Sequence, residues 1–171
     1  MRYKFCPICG GKLEIVDNYD EGKVPYCKKD DQLFFDVPKP CIMVAVIKND
    51  NILLLKQSYI YKDSLVLIAG YIGIDEKAEE TVKREILEET GITVSNVKFL
   101  GTEYVPGKEL LMLTYYAQYE SGEIIKSDEV EMARWHKLSE SLELMKEDNI
   151  GKKIVKKILR NNSSLGLEEE K

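Results

Sequence analysis

Apolar positions first become dense at 41–47, Cys-Ile-Met-Val-Ala-Val-Ile, and again at 52–55, Ile-Leu-Leu-Leu. Unbroken apolar runs of this length, bounded by turn residues, read as strong strands. Asn49-Asp50-Asn51 lies between them, so a hairpin is predicted from strands 41–48 and 52–56. A further apolar run over 64–68 ends on Ala69-Gly70. Residues 77–90 lack glycine and proline, and Gly91 follows where a helix takes a left-handed cap, so a helix is predicted there. Strands are predicted over 94–104, 110–119 and 129–135, and helices over 139–146 and 150–159. Strands around one central helix, closed by C-terminal helices, indicate an α/β (α+β) sandwich.

Residues 1–37 follow another pattern, rich in turn signals and cysteine, with short strand-like runs at 12–16, 23–27 and 32–35. So small a piece does not hold together by burial alone. Val37-Pro38-Lys39-Pro40 restricts the backbone to extended shapes, which makes a stiff connector and divides 1–37 from a main domain over 38–160. Residues 161–171, opening Asn161-Asn-Ser-Ser, are expected to form a flexible tail.

Composition narrows the chemistry. At 44% apolar and 32% charged residues, neither disorder nor a membrane class is indicated, and the run at 41–47 is far too short to span a bilayer. The opening Met1-Arg-Tyr-Lys-Phe-Cys has no apolar stretch of leader length, so a cytoplasmic, reducing location is expected and the cysteines read as thiols or metal ligands. A net charge of −5 argues against duplex nucleic acid as a partner but leaves room for a small phosphate ligand bridged by cations. The single histidine, His136, speaks against Ser-His-Asp or Cys-His devices and histidine-rich metal sites. Hard-metal carboxylate chemistry is what remains.

Glu85, Glu88 and Glu89 stand at i, i+3 and i+4 of the predicted helix and so share one face. Like charges at this spacing cost about 0.2–0.5 kcal/mol per pair, and acidic groups near a helix C-terminus oppose the macrodipole. Magnesium or manganese would compensate, since these hard ions bind a few carboxylates together with water and substrate phosphate. A solvated glutamate-rich face, with Lys83 and Arg84 as ion-pair partners, is the plainer alternative.

The surrounding residues favour the metal. Gly70, five residues, Glu76, seven residues, then Arg84-Glu85-Ile86-Leu87-Glu88-Glu89-Thr90-Gly91-Ile92 resembles the Nudix box without a gap. The resemblance spans roughly residues 40–155. It implies a loop, helix and loop on a Nudix-type α/β/α sandwich with a mixed sheet, cleaving nucleoside diphosphates linked to another moiety. It makes Glu85, Glu89 and the carbonyl of Ala69 ligands of Mg2+ or Mn2+, Glu88 a ligand or base, and Arg84 the clamp on the carboxylates. Gly70 and Gly91 serve backbone shape. A more distant acid is expected within Ser127-Asp-Glu-Val-Glu-Met-Ala-Arg-Trp135; Glu129 is preferred, with Glu131 its competitor on the same strand face.

Cys6-Pro-Ile-Cys9-Gly10-Gly11 reads as a zinc-knuckle turn, and a second pair of ligands would close a tetrahedral site. Cys27-Lys28-Lys29-Asp30 supplies that pair with an aspartate in place of the fourth cysteine, so either zinc is held by Cys6, Cys9, Cys27 and Asp30 or the ribbon has lost its metal. Cys41 begins an apolar strand and reads as a core residue. A zinc-ribbon-like domain ahead of the box resembles the NADH pyrophosphatase branch, supported by Leu111-Met-Leu-Thr, Ser121-Gly-Glu-Ile and Ala133-Arg-Trp. That likeness implies release of AMP from NADH, NAD or ADP-ribose type compounds, and a homodimer. Tyr71 is placed to stack on a base or to join the core, and Gly151 to approach the ligand. The branch's SQPWPxPxS signature is replaced by Tyr104-Val-Pro-Gly-Lys-Glu-Leu, so hydrolysis of an oxidised nucleoside triphosphate stands as an alternative substrate class, and a non-catalytic ligand sensor as a third reading.

Overall fold

The structure, a computed structural model, describes residues 3–165, with 161–165 described as backbone. The chain divides into two units, Met1–Pro38 and Lys39–Lys171.

The first unit is a small antiparallel sheet of β1 (Glu14–Asn18), β2 (Gly22–Cys27) and β3 (Gln32–Leu33), ordered β1-β2-β3. Its buried apolar cluster is Cys6, Leu13 and Cys27, with Tyr3, Cys9 and Phe34 packed against it, and Val24 is buried besides. The thiols therefore sit where a larger domain would place aliphatic side chains.

The second unit is built on β4 (Lys39–Lys48), β5 (Asn51–Lys56), β6 (Ile68–Tyr71), β7 (Thr93–Val105), β8 (Leu110–Ser121) and β9 (Met132–Lys137). The order is β7-β8-β4-β5-β9, with β6 beside β4. β4 and β8 run parallel and the remaining pairs antiparallel, so the sheet is mixed. One edge of β4 is shared: residues Cys41 to Val44 pair with β6, while Ile47 and Lys48 pair with β5. The segment joining β5 to β6 returns to β5 before β6 begins, where Val66 and Leu55 exchange backbone hydrogen bonds of 2.9 Å in an antiparallel bridge.

Alternate residues of β4 enter opposite cores, as a period of two requires. Ile42, Val44 and Val46 pack beneath α1 (Ala78–Thr90), whose Val82 and Ile86 are fully buried one turn apart. Burial of each such side chain contributes about 1.5–3 kcal/mol. Met43, Ala45 and Ile47 face the other core with Met145, Ile154, Val155 and Ile158, contributed by the α2 (Ser141–Leu144) segment and α3 (Asn149–Leu165). Helices on both faces make the α/β/α sandwich.

Two boundaries differ from the sequence reading. The strand expected over 129–135 begins at Met132, because Glu131 is drawn to Ser58 and Val130 is buried ahead of the ladder. The backbone of α3 is helical to Leu165, through the first residues of the expected tail. An established helix adds a hydrogen bond per residue and so runs on through indifferent formers such as Asn161 and Ser163. The remainder of that tail, 166–171, lies outside the described residues.

Candidate active site

α1 carries the acidic residues. Lys77 caps it with extended backbone, and its N–H donates to Glu80 Oε2 at 3.1 Å. At the far end Gly91 has φ 72° and donates its N–H to the carbonyl of Leu87, a left-handed cap that glycine adopts without Cβ strain. Thr81, Val82, Ile86, Glu89 and Thr90 form the buried stripe, so a glutamate stands where the helical period calls for an apolar residue.

Glu89 is 6% exposed, and only one of its oxygens is satisfied: Oε1 accepts from Gln57 Nε2 at 3.0 Å, whereas Oε2 is buried without a hydrogen-bond partner. Burial raises its pKa to about 7 despite the Gln57 bond, and the charges of Glu85, Glu129 and Glu88 push the same way. Glu85 is also raised, first by burial and against the opposing pull of Arg84. An orphaned carboxylate oxygen among acidic neighbours matches the donor set of a hard divalent cation.

Arg84 organises the cluster. Its Nε and Nη2 donate to the two oxygens of Glu76 at 2.7 and 3.0 Å, its Nη1 to Glu85 Oε1 at 2.7 Å and Glu88 Oε2 at 2.9 Å, and its Nη2 to the Tyr71 carbonyl at 3.2 Å. The guanidinium, with the Gly73 N–H, holds Glu76 down at about 2. Gly70 lies against this array: a Cβ there would stand 2.1 Å from Glu85 Cδ. The absence of a side chain at position 70 is thus what lets β6 lie against the Glu85 carboxyl of α1.

A pocket of about 940 Å³ opens beside the cluster, lined by Ala69, Gly70, Tyr71, Arg84, Glu85, Glu89 and Glu129 at one end. Tyr104 and Val105 from the end of β7, with Pro106 and Lys108 from the turn into β8, form another wall. Glu129 lies in the turn before β9 and contributes charge to Glu89. Glu131 is turned away, its oxygens accepting from Ser58 N at 2.8 Å and Ser58 Oγ at 2.9 Å. Strand alternation had pointed both acids to one face; the residues precede the strand, so alternation does not govern them. Glu88 is outside the lining, with a side chain 58% exposed and paired to Arg84. Tyr71 is 59% exposed along the pocket, not in the core.

Gly151 stands apart from the lining. Its N–H donates to Asp148 Oδ1 at 2.8 Å, and a Cβ would come within 2.3 Å of Asp148 Oδ2 and Met145 Cε. Its small size serves the first turn of α3, and Asp148, Asn149, Ile150 and Lys153 are the neighbours that reach the pocket. Cys41 is 4% exposed on β4, with the pocket on one side and its thiol pushed up by burial. Gln57 escaped the sequence reading, although the alternation of Leu53 and Leu55 beneath α1 continues to it.

In the first unit, one ligand atom each from Cys6, Cys9, Cys27 and Asp30 lies within 4.8 Å of all the others. Asp30 Oδ2 is the focus, accepting from Cys6 Sγ at 3.0 Å and Cys27 Sγ at 3.1 Å, while Cys9 and Cys27 Sγ are 3.6 Å apart. Such a cluster can hold a metal ion.

The NUDIX domain profile matches residues 37–158. The NAD-capped RNA hydrolase NudC of Pseudomonas syringae pv. tomato is 28% identical over 94% of this chain and 57% of its own length. That of Vibrio atlanticus is 36% identical over 77% of this chain and 48% of its own. The chain spans about half the length of these curated relatives. Among solved structures, a NUDIX hydrolase from Nitrosomonas europaea superposes with a TM-score of 0.66 at 21% identity, covering 84% of this chain and 83% of its own. The MutT protein of Bacillus halodurans gives 0.57 at 32% identity, covering 69% and 80%. No helix among the described residues is long and apolar enough to cross a membrane. Fold, profile and the acidic helix agree, and the chain belongs to the Nudix hydrolase family.

Proposed function

We propose that the second unit hydrolyses the diphosphate linkage of nucleoside diphosphate-X compounds of the NADH, NAD or ADP-ribose type, releasing AMP, with Mg2+ or Mn2+. The observation that carries this reading is the buried, partnerless Oε2 of Glu89 beside Glu85 and Glu129 in one pocket. Glu85, Glu89, Glu129 and the Ala69 carbonyl would hold the cation, which when bound neutralises the diphosphate and acidifies an attacking water. Arg84 keeps Glu85 oriented and holds Glu88 outside the pocket lining, so Glu88 would serve as the base for such a water on swinging from Arg84 into the pocket. Tyr71 offers an exposed ring to a base. The names of the NudC relatives support an NAD-type substrate. The first unit, on the same reading, carries a structural zinc on Cys6, Cys9, Cys27 and Asp30.

The test is AMP release from a panel of NADH, NAD, ADP-ribose and NAD-capped RNA with Mg2+. Glu85→Gln is expected to lose about 10³-fold, the upper range for removal of one preorganised electrostatic group. The reading fails if no compound yields AMP and the variant behaves as the wild type. A second reading, hydrolysis of an oxidised nucleoside triphosphate, is favoured by the wall built from Tyr104, Val105, Pro106 and Lys108, since this wall occupies the position of the missing dinucleotide signature. Competition between such a triphosphate and NADH separates the two.

A further inference from the structure

The segment joining β5 to β6 is fastened to the acidic cluster. Gln57, 3% exposed, donates to Glu89 Oε1 at 3.0 Å, so the segment starts on the carboxylate whose other oxygen is partnerless. Ser58 is gripped through both backbone N–H and hydroxyl by Glu131. The N–H groups of Ile60 and Tyr61 both donate to the Gln57 carbonyl, at 2.9 and 3.2 Å, which closes a turn. Tyr59 rides at the crest of that turn, fixed before and after. It is 71% exposed, yet it lines the pocket together with Glu85, Glu89 and Glu129. A tyrosine hydroxyl carries its proton at neutral pH and can donate it in a hydrogen bond.

A diphosphate presents acceptor oxygens, and the carboxylates around it offer none of the donors it needs. Arg84, the obvious donor, is spent: its five N–H groups are engaged by Glu76, Glu85, Glu88 and the Tyr71 carbonyl. Lys153 is paired with Glu103 at 2.6 Å, and Lys108, in the wall beyond β7, is the remaining cationic side chain of the lining.

We propose that Tyr59 contacts substrate, donating a hydrogen bond from its hydroxyl to a non-bridging oxygen of the diphosphate, and that Glu131 is a positioning residue that acts through it by pinning Ser58. The proposal rests on the diphosphate reading above. It also gives Glu131 a role distinct from that of a metal ligand.

The experiment uses the full chain as wild type, Tyr59→Phe, Glu131→Ala and the double variant. Three quantities are measured: kcat/KM for ADP-ribose with Mg2+, affinity for the non-hydrolysable α,β-methylene-ADP with Mn2+ by calorimetry, and affinity for Mn2+ alone by electron paramagnetic resonance. Tyr59→Phe keeps the ring and removes one donor to an anion, so analogue affinity and kcat/KM are expected to fall about 10-fold. Mn2+ affinity is expected to stay within about twofold of wild type, and the double variant to lose no more than the worse single variant, since both act through one contact. The proposal is overturned if Tyr59→Phe binds the analogue as wild type does, or if the double variant loses the product of the single losses. A wild type that binds the analogue without hydrolysing any substrate defeats the hydrolytic reading and leaves this contact to its binding measurement. A wild type that binds no analogue removes both.

Discussion

A single unsatisfied oxygen sets the character of the site. Folded Glu89 holds its proton more tightly than an ordinary glutamate, with a pKa of about 7 against 4.5. In metal-free protein this group therefore favours the folded state fully below the unfolded value, and that contribution is lost as pH rises through about 7. The swing is on the order of 3 kcal/mol at most. Glu89→Gln, which keeps an acceptor for Gln57, should melt above wild type at pH 8 in chelator and lose that advantage near pH 5. Mn2+ should raise the wild-type melting temperature and leave the variant unmoved; a variant melting below wild type at pH 8 in chelator would refute this account. That Glu85 and Glu89 line one pocket was legible from their spacing along α1, whereas Glu88, expected on the same face, is turned to Arg84 outside the lining. The distinction between Glu129 and Glu131 was not, since it depends on Ser58, distant in sequence and joined to Glu131 only by the folded turn.

Between elements, the decisive contact is β6 against α1. Because a Cβ on Gly70 would collide with the Glu85 carboxyl, Gly70→Ala should displace that side chain and leave the backbone largely in place. A flexible side-chain end yields cheaply, so the melting temperature should move little while kcat/KM falls by about 10², the usual cost of misplacing a reacting group by roughly 1 Å. Circular dichroism melts beside steady-state kinetics would show the split; a large loss of stability would point instead to a structural glycine. The central helix and the β4–β5 hairpin follow from apolar spacing and turn chemistry. The run at 64–68 foretold β6 less well: the ladder starts at Ile68 and continues through Tyr71, because pairing with β4 decides where a strand lies. Nor could periodicity foresee the turn from Gln57 to Tyr61, which is closed by backbone bonds to the Gln57 carbonyl and anchored by the distant side chains of Glu89 and Glu131.

Taken whole, the molecule joins a main unit with two apolar cores to a first unit with almost none. Where burial supplies so little, a metal contributes folding free energy directly. A strong chelator should thus expose Met1–Pro38 to protease while the main unit resists. Cobalt substitution should give a thiolate absorption band that Cys6→Ala weakens and Asp30→Cys intensifies; a chelated protein as protease-resistant as the untreated one would count against a structural zinc. Both expectations concern the Cys6, Cys9, Cys27 and Asp30 cluster, whose first turn the sequence announced and whose aspartate it could only offer. Cys41 has a consequence of another kind. A thiol this buried alkylates slowly, and its approach from solvent runs through the pocket. Bound nucleotide should slow that alkylation further, giving every purified preparation an internal clock for occupancy, read by mass spectrometry with no substrate turned over.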